Sequence, residues 1–213
     1  MIRFHSRNML GLAFLAVAQS FAAAAIPLGL GAVGGVNIGN ADIEGHSETD
    51  PRIGMAMGLR LEFGVSSPFS LLVEPTYVQK GADFSYDAGL LGEADASGEL
   101  DYVEIPLLLK AKFGAMKTHL FLFAGPSIGI NVAAKGNIES LSDTFEEEVA
   151  PVVYSGDVGV GIAFQVQQYV YLSAEGRYSH AFSDALDESV GDIDSWKSRD
   201  FRLMAGVMVE LFD

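Results

Sequence analysis

Between Tyr102 and Phe113 every second residue is apolar. Val103, Ile105, Leu107, Leu109, Ala111 and Phe113 form one set; Glu104, Pro106, Leu108, Lys110 and Lys112 form the other, with three charges. A period of two means an extended strand, because successive side chains point to opposite faces. The stretch has 12 residues, whereas strands in globular sheets usually have ~5–6. It is long enough to cross a hydrocarbon layer at a tilt. One face then meets lipid and the other a polar lumen.

The same pattern recurs in seven more segments: 28–40, 52–65, 69–82, 118–133, 152–166, 169–182 and 199–212. Connections at 64–69, 114–118 and 166–169 are tight, while 40–51, 83–101, 134–151 and 183–200 are long. Alternating short turns and long loops belong to an up-and-down barrel with short periplasmic turns and long outer loops. The predicted fold is all-β, an eight-stranded antiparallel up-and-down transmembrane β-barrel. Pro75, Pro106 and Pro126 fall inside strands. Each removes a ladder donor, so bulges that shift the in/out phase are expected there.

The N-terminus reads as a secretory signal: Arg3 and Arg7, then an apolar core from Met9 to Ala18, then Ala23-Ala24-Ala25 as cleavage site. A core of 10 residues is too short to span. The division is therefore 1–25 signal peptide and 26–213 barrel domain. No apolar run elsewhere reaches the ~20 residues of a spanning helix. There is no Cys, which excludes disulfides and thiolate metal sites.

The formal charge of −15 excludes a nucleic-acid partner, which needs a basic surface. That charge is concentrated. The windows 40–52, 83–101, 134–151 and 183–200 hold 21 of the 28 Asp and Glu and only four basic residues. The polar strand faces carry Arg60, Lys80, Lys110, Lys112, Arg177 and Arg202 against Glu62, Glu74, Glu104, Asp157, Glu175 and Glu210. Six against six predicts a mutually neutralised lumenal network, since unpaired charge in a narrow barrel is costly. A soluble lipocalin-like barrel would turn the apolar face inward. The Gly and Ala of the polar faces favour the opposite arrangement, because they suit a crowded interior.

Three proline-containing motifs carry a family resemblance: Glu74-Pro75-Thr76-Tyr77-Val78-Gln79-Lys80-Gly81, Tyr102-Val103-Glu104-Ile105-Pro106-Leu107-Leu108-Leu109-Lys110, and Ala124-Gly125-Pro126-Ser127-Ile128-Gly129, followed by Arg177-Tyr178. In order and spacing they resemble the PorT-like outer-membrane β-barrel family over about residues 28–212. The resemblance implies an eight-stranded barrel in the Gram-negative outer membrane, and no single activity. Phe212 followed by Asp213 departs from the usual aromatic ending.

Catalytic chemistry finds little support. Ser179-His180 and Ser183 lie near one strand end, but Ser179 and His180 point to opposite faces and no carboxylate orients the imidazole. His46 and His119 have no neighbours at metal-ligand spacing. Glu146-Glu147-Glu148 and Asp192-Ile193-Asp194 offer oxygen ligands to divalent cations, without EF-hand spacing. Tyr77, Tyr102, Tyr169, Tyr171, Tyr178 and Trp196 are expected in interfacial belts. The function expected is structural or interactive, not enzymatic, and without cofactor. The protein is expected to be a monomer in the bacterial outer membrane, contacting lipid and envelope proteins. A narrow pore for small ions and a lipid-modifying enzyme are the alternatives.

Overall fold

The computed structural model describes residues 28–43, 49–87, 93–115, 117–136, 150–183 and 196–211. At 41–43, 49–50, 82–87, 93–99, 115, 134–136 and 196–197 it describes the backbone alone. The predicted signal segment, His46, and the acids 146–148 and 192–194 lie outside these residues.

Among the described residues there are nine strands: β1 (Leu28–Ile43), β2 (Thr49–Ser66), β3 (Phe69–Val73), β4 (Thr76–Asp87), β5 (Glu93–Ala115), β6 (Thr118–Gly136), β7 (Val152–Gln167), β8 (Val170–Ala181) and β9 (Trp196–Glu210). All pairings are antiparallel. β1 pairs with β2 on one side, where Gly31 faces Arg60, and with β9 on the other, where Gly31 faces Met208. The first and last strands are thus neighbours and the sheet closes on itself, leaving no exposed ladder edge.

Nine strands replace the eight expected because the third segment is divided. β3 and β4 occupy one slot, both pairing with β2 and with β5. The break falls at Glu74-Pro75, where Pro75 has no N–H to donate. Its carbonyl still accepts from the Leu59 N–H at 3.0 Å, and the Glu74 N–H reaches the Pro106 carbonyl at 3.3 Å. The expected bulges at the prolines are absent. Glu104, Pro106, Leu108 and Lys110 are all buried, as are Glu74, Thr76, Val78 and Lys80, so the phase runs unbroken. Register slips lie instead at 101–102, 64–66, 51–56 and 165–167.

The strands also outrun their predicted ends. β4 and β5 pair from Thr76–Glu104 out to Asp87–Glu93, inside the 83–101 window read as a loop.

The molecule is inside out relative to a soluble protein. Arg177, Arg202 and Glu104 have no accessible surface, while Leu109, Leu120 and Val160 are more than half exposed. The interior also has an apolar layer of Leu72, Leu108, Phe121, Phe123 and Ala163. The Phe121 and Phe123 rings stack at 6.0 Å over Gly161 and Gly159. A Cβ at either glycine would run into the ring above it, so the two glycines make room for the two rings.

Candidate functional site

The inner wall carries the concentrated chemistry. Alternation places the even residues of β2, β4, β5 and β9 and the odd residues of β7 and β8 inside. Their charged members fall into three tiers along the axis.

At the short-turn end, Glu62 takes Lys110 at 2.8 Å and Lys112 at 2.7 Å, and accepts the Ser70 hydroxyl at 2.7 Å. Lys112 also lies 3.8 Å from Glu210. The middle tier is a ring of two guanidiniums and two carboxylates. Arg60 meets Glu74 at 2.5 Å and Glu175 at 2.8 Å; Arg177 meets the same two at 2.7 and 3.0 Å. Asp157 adjoins this ring at 3.7 Å from Arg177. In the far tier, Lys80 bridges Glu104 at 2.7 Å and Asp200 at 2.5 Å. Arg202 binds Glu104 at 2.6 Å and donates to the side-chain amide oxygen Oδ1 of Asn37 at 3.3 Å.

Arg177 and Arg202 sit directly opposite each other on β8 and β9, a like-charge pairing that is unfavourable by itself. Here Arg177 is drawn to Glu74 and Glu175, and Arg202 to Glu104. Three cations also rest on aromatic faces: Lys110 lies 4.4 Å from the Phe121 centroid, Arg177 4.9 Å from that of Phe123 and Lys80 5.6 Å from that of Tyr102. Such contacts are favourable electrostatically and more so when desolvated.

The structure brings all twelve charges selected from the alternation into ion pairs. It adds one that the sequence reading missed. Asp200, counted there as the last residue of an acidic loop, is on the inner face of β9 and 1% exposed. Asp200 thus joins the carboxylates of the inner wall, held by Lys80. Its phase with Arg202 and Met204 was the available signal.

Ser179 is buried inside and His180 lies on the outer face, its ring 6.4 Å from Tyr178 and 5.7 Å from Phe182. Ser183 accepts the Tyr154 N–H at 2.8 Å. These three groups do not converge. His119 faces inward beside Tyr171, with ring centroids 5.6 Å apart. Tyr102 does not belong to a belt: it is 1% exposed, with Lys80 5.6 Å from its ring. Tyr171 is likewise turned inward, whereas Tyr169 and Tyr178 face outward and are exposed. Tyr77 donates to Asp101 at 2.7 Å. The side chain of Trp196 lies outside the described residues.

Among the described residues, the lumen is a stack of ion-paired layers and one apolar layer. No group of three or more His, Asp or Glu able to hold a metal occurs among the described residues.

A family model, described as outer membrane protein beta-barrel domain, matches residues 17–187. Among solved structures the chain is similar to Neisserial surface protein A, with a TM-score of 0.54 and 16% identity over 86% of this chain and 97% of that one. It is also similar to the outer membrane protein OprG from Pseudomonas aeruginosa, with a TM-score of 0.51 and 10% identity over 88% and 98%. At these identities the likeness is one of fold. No curated protein sequence matches.

Proposed function

The chain belongs to the outer membrane protein beta-barrel domain family and so to the bacterial outer membrane, and from that premise we propose that it is a plugged barrel with a structural or interaction role. In this reading β3 and β4 form one interrupted stave, giving eight staves. The three proline motifs make it PorT-like within the family. It stands as a monomer with lipid against its apolar outer face, and contacts envelope proteins through its long acidic connections. It carries out no catalysis.

One observation carries the plugged reading. The apolar layer of Leu72, Leu108, Phe121, Phe123 and Ala163, each no more than 2% exposed, lies between two ion-paired tiers. Along β3 and into the break after it the inner positions run Ser70, Leu72, Glu74; along β5 they run Lys110, Leu108, Pro106, Glu104. An ion crossing the lumen would have to shed water against phenyl rings and also part buried ion pairs. Eight staves enclose little more than their own side chains.

Planar-bilayer recording tests this. The expected result is no steady conductance from the purified protein. A steady current that Glu104→Gln or Lys110→Met alters would replace the plug by a pore. The interaction role is tested by co-purification of envelope proteins, lost on removing residues 184–195. The deletion must stop there, since β9 begins at Trp196 and supplies Asp200.

A further inference from the structure

The outer wall is apolar along most of every strand, and the charges on it are few. Among the described residues, two charged side chains face out from the strands, Asp101 and Arg199. Asp101 accepts the Tyr77 hydroxyl at 2.7 Å. Arg199 stands on β9 between the buried Ser198 and Asp200 and is itself exposed. Its cross-strand neighbours are His180 on β8 and Asn40 on β1. All three lie toward the long-connection ends of their strands.

The depth of Arg199 follows from the strand below it. From Leu211 to Phe201 every outward residue is apolar. The ten residue steps between them, at ~3.3 Å each and tilted by ~40°, rise about 25 Å, the height of the apolar band. Arg199 is the next outward position, at the border where lipid headgroups begin. The wall around it is aromatic. Tyr178 and Phe201 are cross-strand neighbours, one outward position toward the hydrocarbon. The Tyr178 ring stacks on His180, with centroids 6.4 Å apart. Phe182 lies across Gly156, where a Cβ would meet its ring at 2.8 Å, and stands edge-on to His180 at 5.7 Å. At matching depth on β2, β5 and β6 the outward residues are Ile53, Val103, Ile105, Ile128 and Ile130. Girdle aromatics serve the whole circumference of a barrel; here rings and a cation are gathered on β8 and β9.

We propose that Arg199 and His180 hold the phosphate of one lipid at the rim, and that Tyr178 and Phe201 carry its acyl chains. A guanidinium grips a phosphate through two parallel N–H bonds. Its five donors allow this while it keeps contacts within the protein, and an imidazole adds an N–H of its own. Rings just below the cation match a ligand whose phosphate is joined to hydrocarbon, and a free phosphate would make no use of them. The site rests on the apolar outer wall meeting lipid and does not require a plugged lumen.

Reporter tryptophans in vesicles test it. Trp196 is the single tryptophan, so Trp196→Phe with Phe201→Trp puts one reporter at the site. Trp196→Phe with Ile128→Trp puts one at like depth on β6. Each protein is placed in phosphatidylcholine vesicles in which either phosphatidylcholine or a minor fraction of phosphatidic acid carries brominated chains. Brominated phosphatidylcholine is expected to quench both reporters. Phosphatidic acid is expected to be preferred about fivefold at position 201, the worth of one basic residue at an anionic interface, and not at position 128. Arg199→Gln is expected to abolish the preference, His180→Ala to weaken it, and Arg199→Lys to keep part of it. Equal preference at both positions means diffuse attraction and overturns the site. So does a preference at 201 that survives Arg199→Gln, and so does no preference there while phosphatidylcholine still quenches. Absence of quenching by phosphatidylcholine at both positions is a separate failure: it overturns the lipid-facing wall, and the site with it.

Discussion

Arg177 shows how single residues hold this lumen. It has no accessible surface, joins Glu74, Glu175 and Asp157, and lies over Phe123. Removing one member of a buried ion pair costs more than the pair contributes, because the remaining charge stays buried unpaired. Arg177→Met is therefore expected to lower stability by about 3–5 kcal/mol, read from urea unfolding in lipid vesicles. Lys112→Met is its contrast. Lys112 also pairs with Glu62, but it is 30% exposed at the short-turn mouth and Lys110 remains on Glu62. The expected loss there is about 0–1 kcal/mol. Equal losses would mean that burial does not govern the network. At this scale the charges were readable where the period of two was unmistakable, as at Glu104 and Lys110. Asp200 was not, since its acidic neighbours made it look like loop. Tyr102 was misplaced because a tyrosine near a strand end suits an interface as well as an interior.

At the scale of elements, the alternation specified faces better than ends. β5 keeps one phase from Leu100 to Lys110 through Pro106. Missing donors at the prolines cost ladder bonds, but the carbonyls of Pro75 and Pro106 remain in use. Strand ends were obscured by composition. Asp83, Asp87, Glu93 and Asp95 are types depleted in strands, yet β4 and β5 pair through all four positions. The inner phenylalanines were equally hidden, since Phe121 and Phe123 alternate with Leu120 and Leu122 in a run apolar on both faces. Their space is set by glycines on the next strand, in register: Phe121 faces Gly161 and Phe123 faces Gly159. Gly161→Val would drive Cβ into the Phe121 ring and against the Ala174 carbonyl oxygen. Backbone cannot yield as a flexible side-chain tip can. Overpacking of this kind costs about 1–3 kcal/mol, and the substitution is expected to lower the unfolding midpoint accordingly. A companion Phe121→Leu change should recover part of the loss, by returning the space that the valine takes. No recovery would mean that the backbone contact, and not the ring, sets the limit.

For the whole molecule, the decisive property is the inversion of inside and outside. A closed sheet satisfies its backbone groups by pairing, which is what a lipid environment demands. The outer surface then needs only to be apolar across the hydrocarbon band. β7 provides a matched pair to test where that band lies. Val160 and Val166 are both valines, both outward, and 54% and 57% exposed. Val160 is near the middle of the strand and Val166 is next to the short turn at 168–169. In a water-facing sheet, arginine at either position would be nearly neutral, because neither side chain is packed. In lipid the cost depends on depth, about 2–4 kcal/mol at the midplane and about 0–1 near the interface. Val160→Arg is therefore expected to be the more destabilising by about 2 kcal/mol or more, measured by reversible unfolding from vesicles. The ordering should survive a change of lipid head group, since it depends on hydrocarbon depth and not on surface charge. It should shrink in lipids with shorter tails, where Val160 lies closer to water on both sides. Equal effects at the two positions would place the apolar face outside the hydrocarbon band.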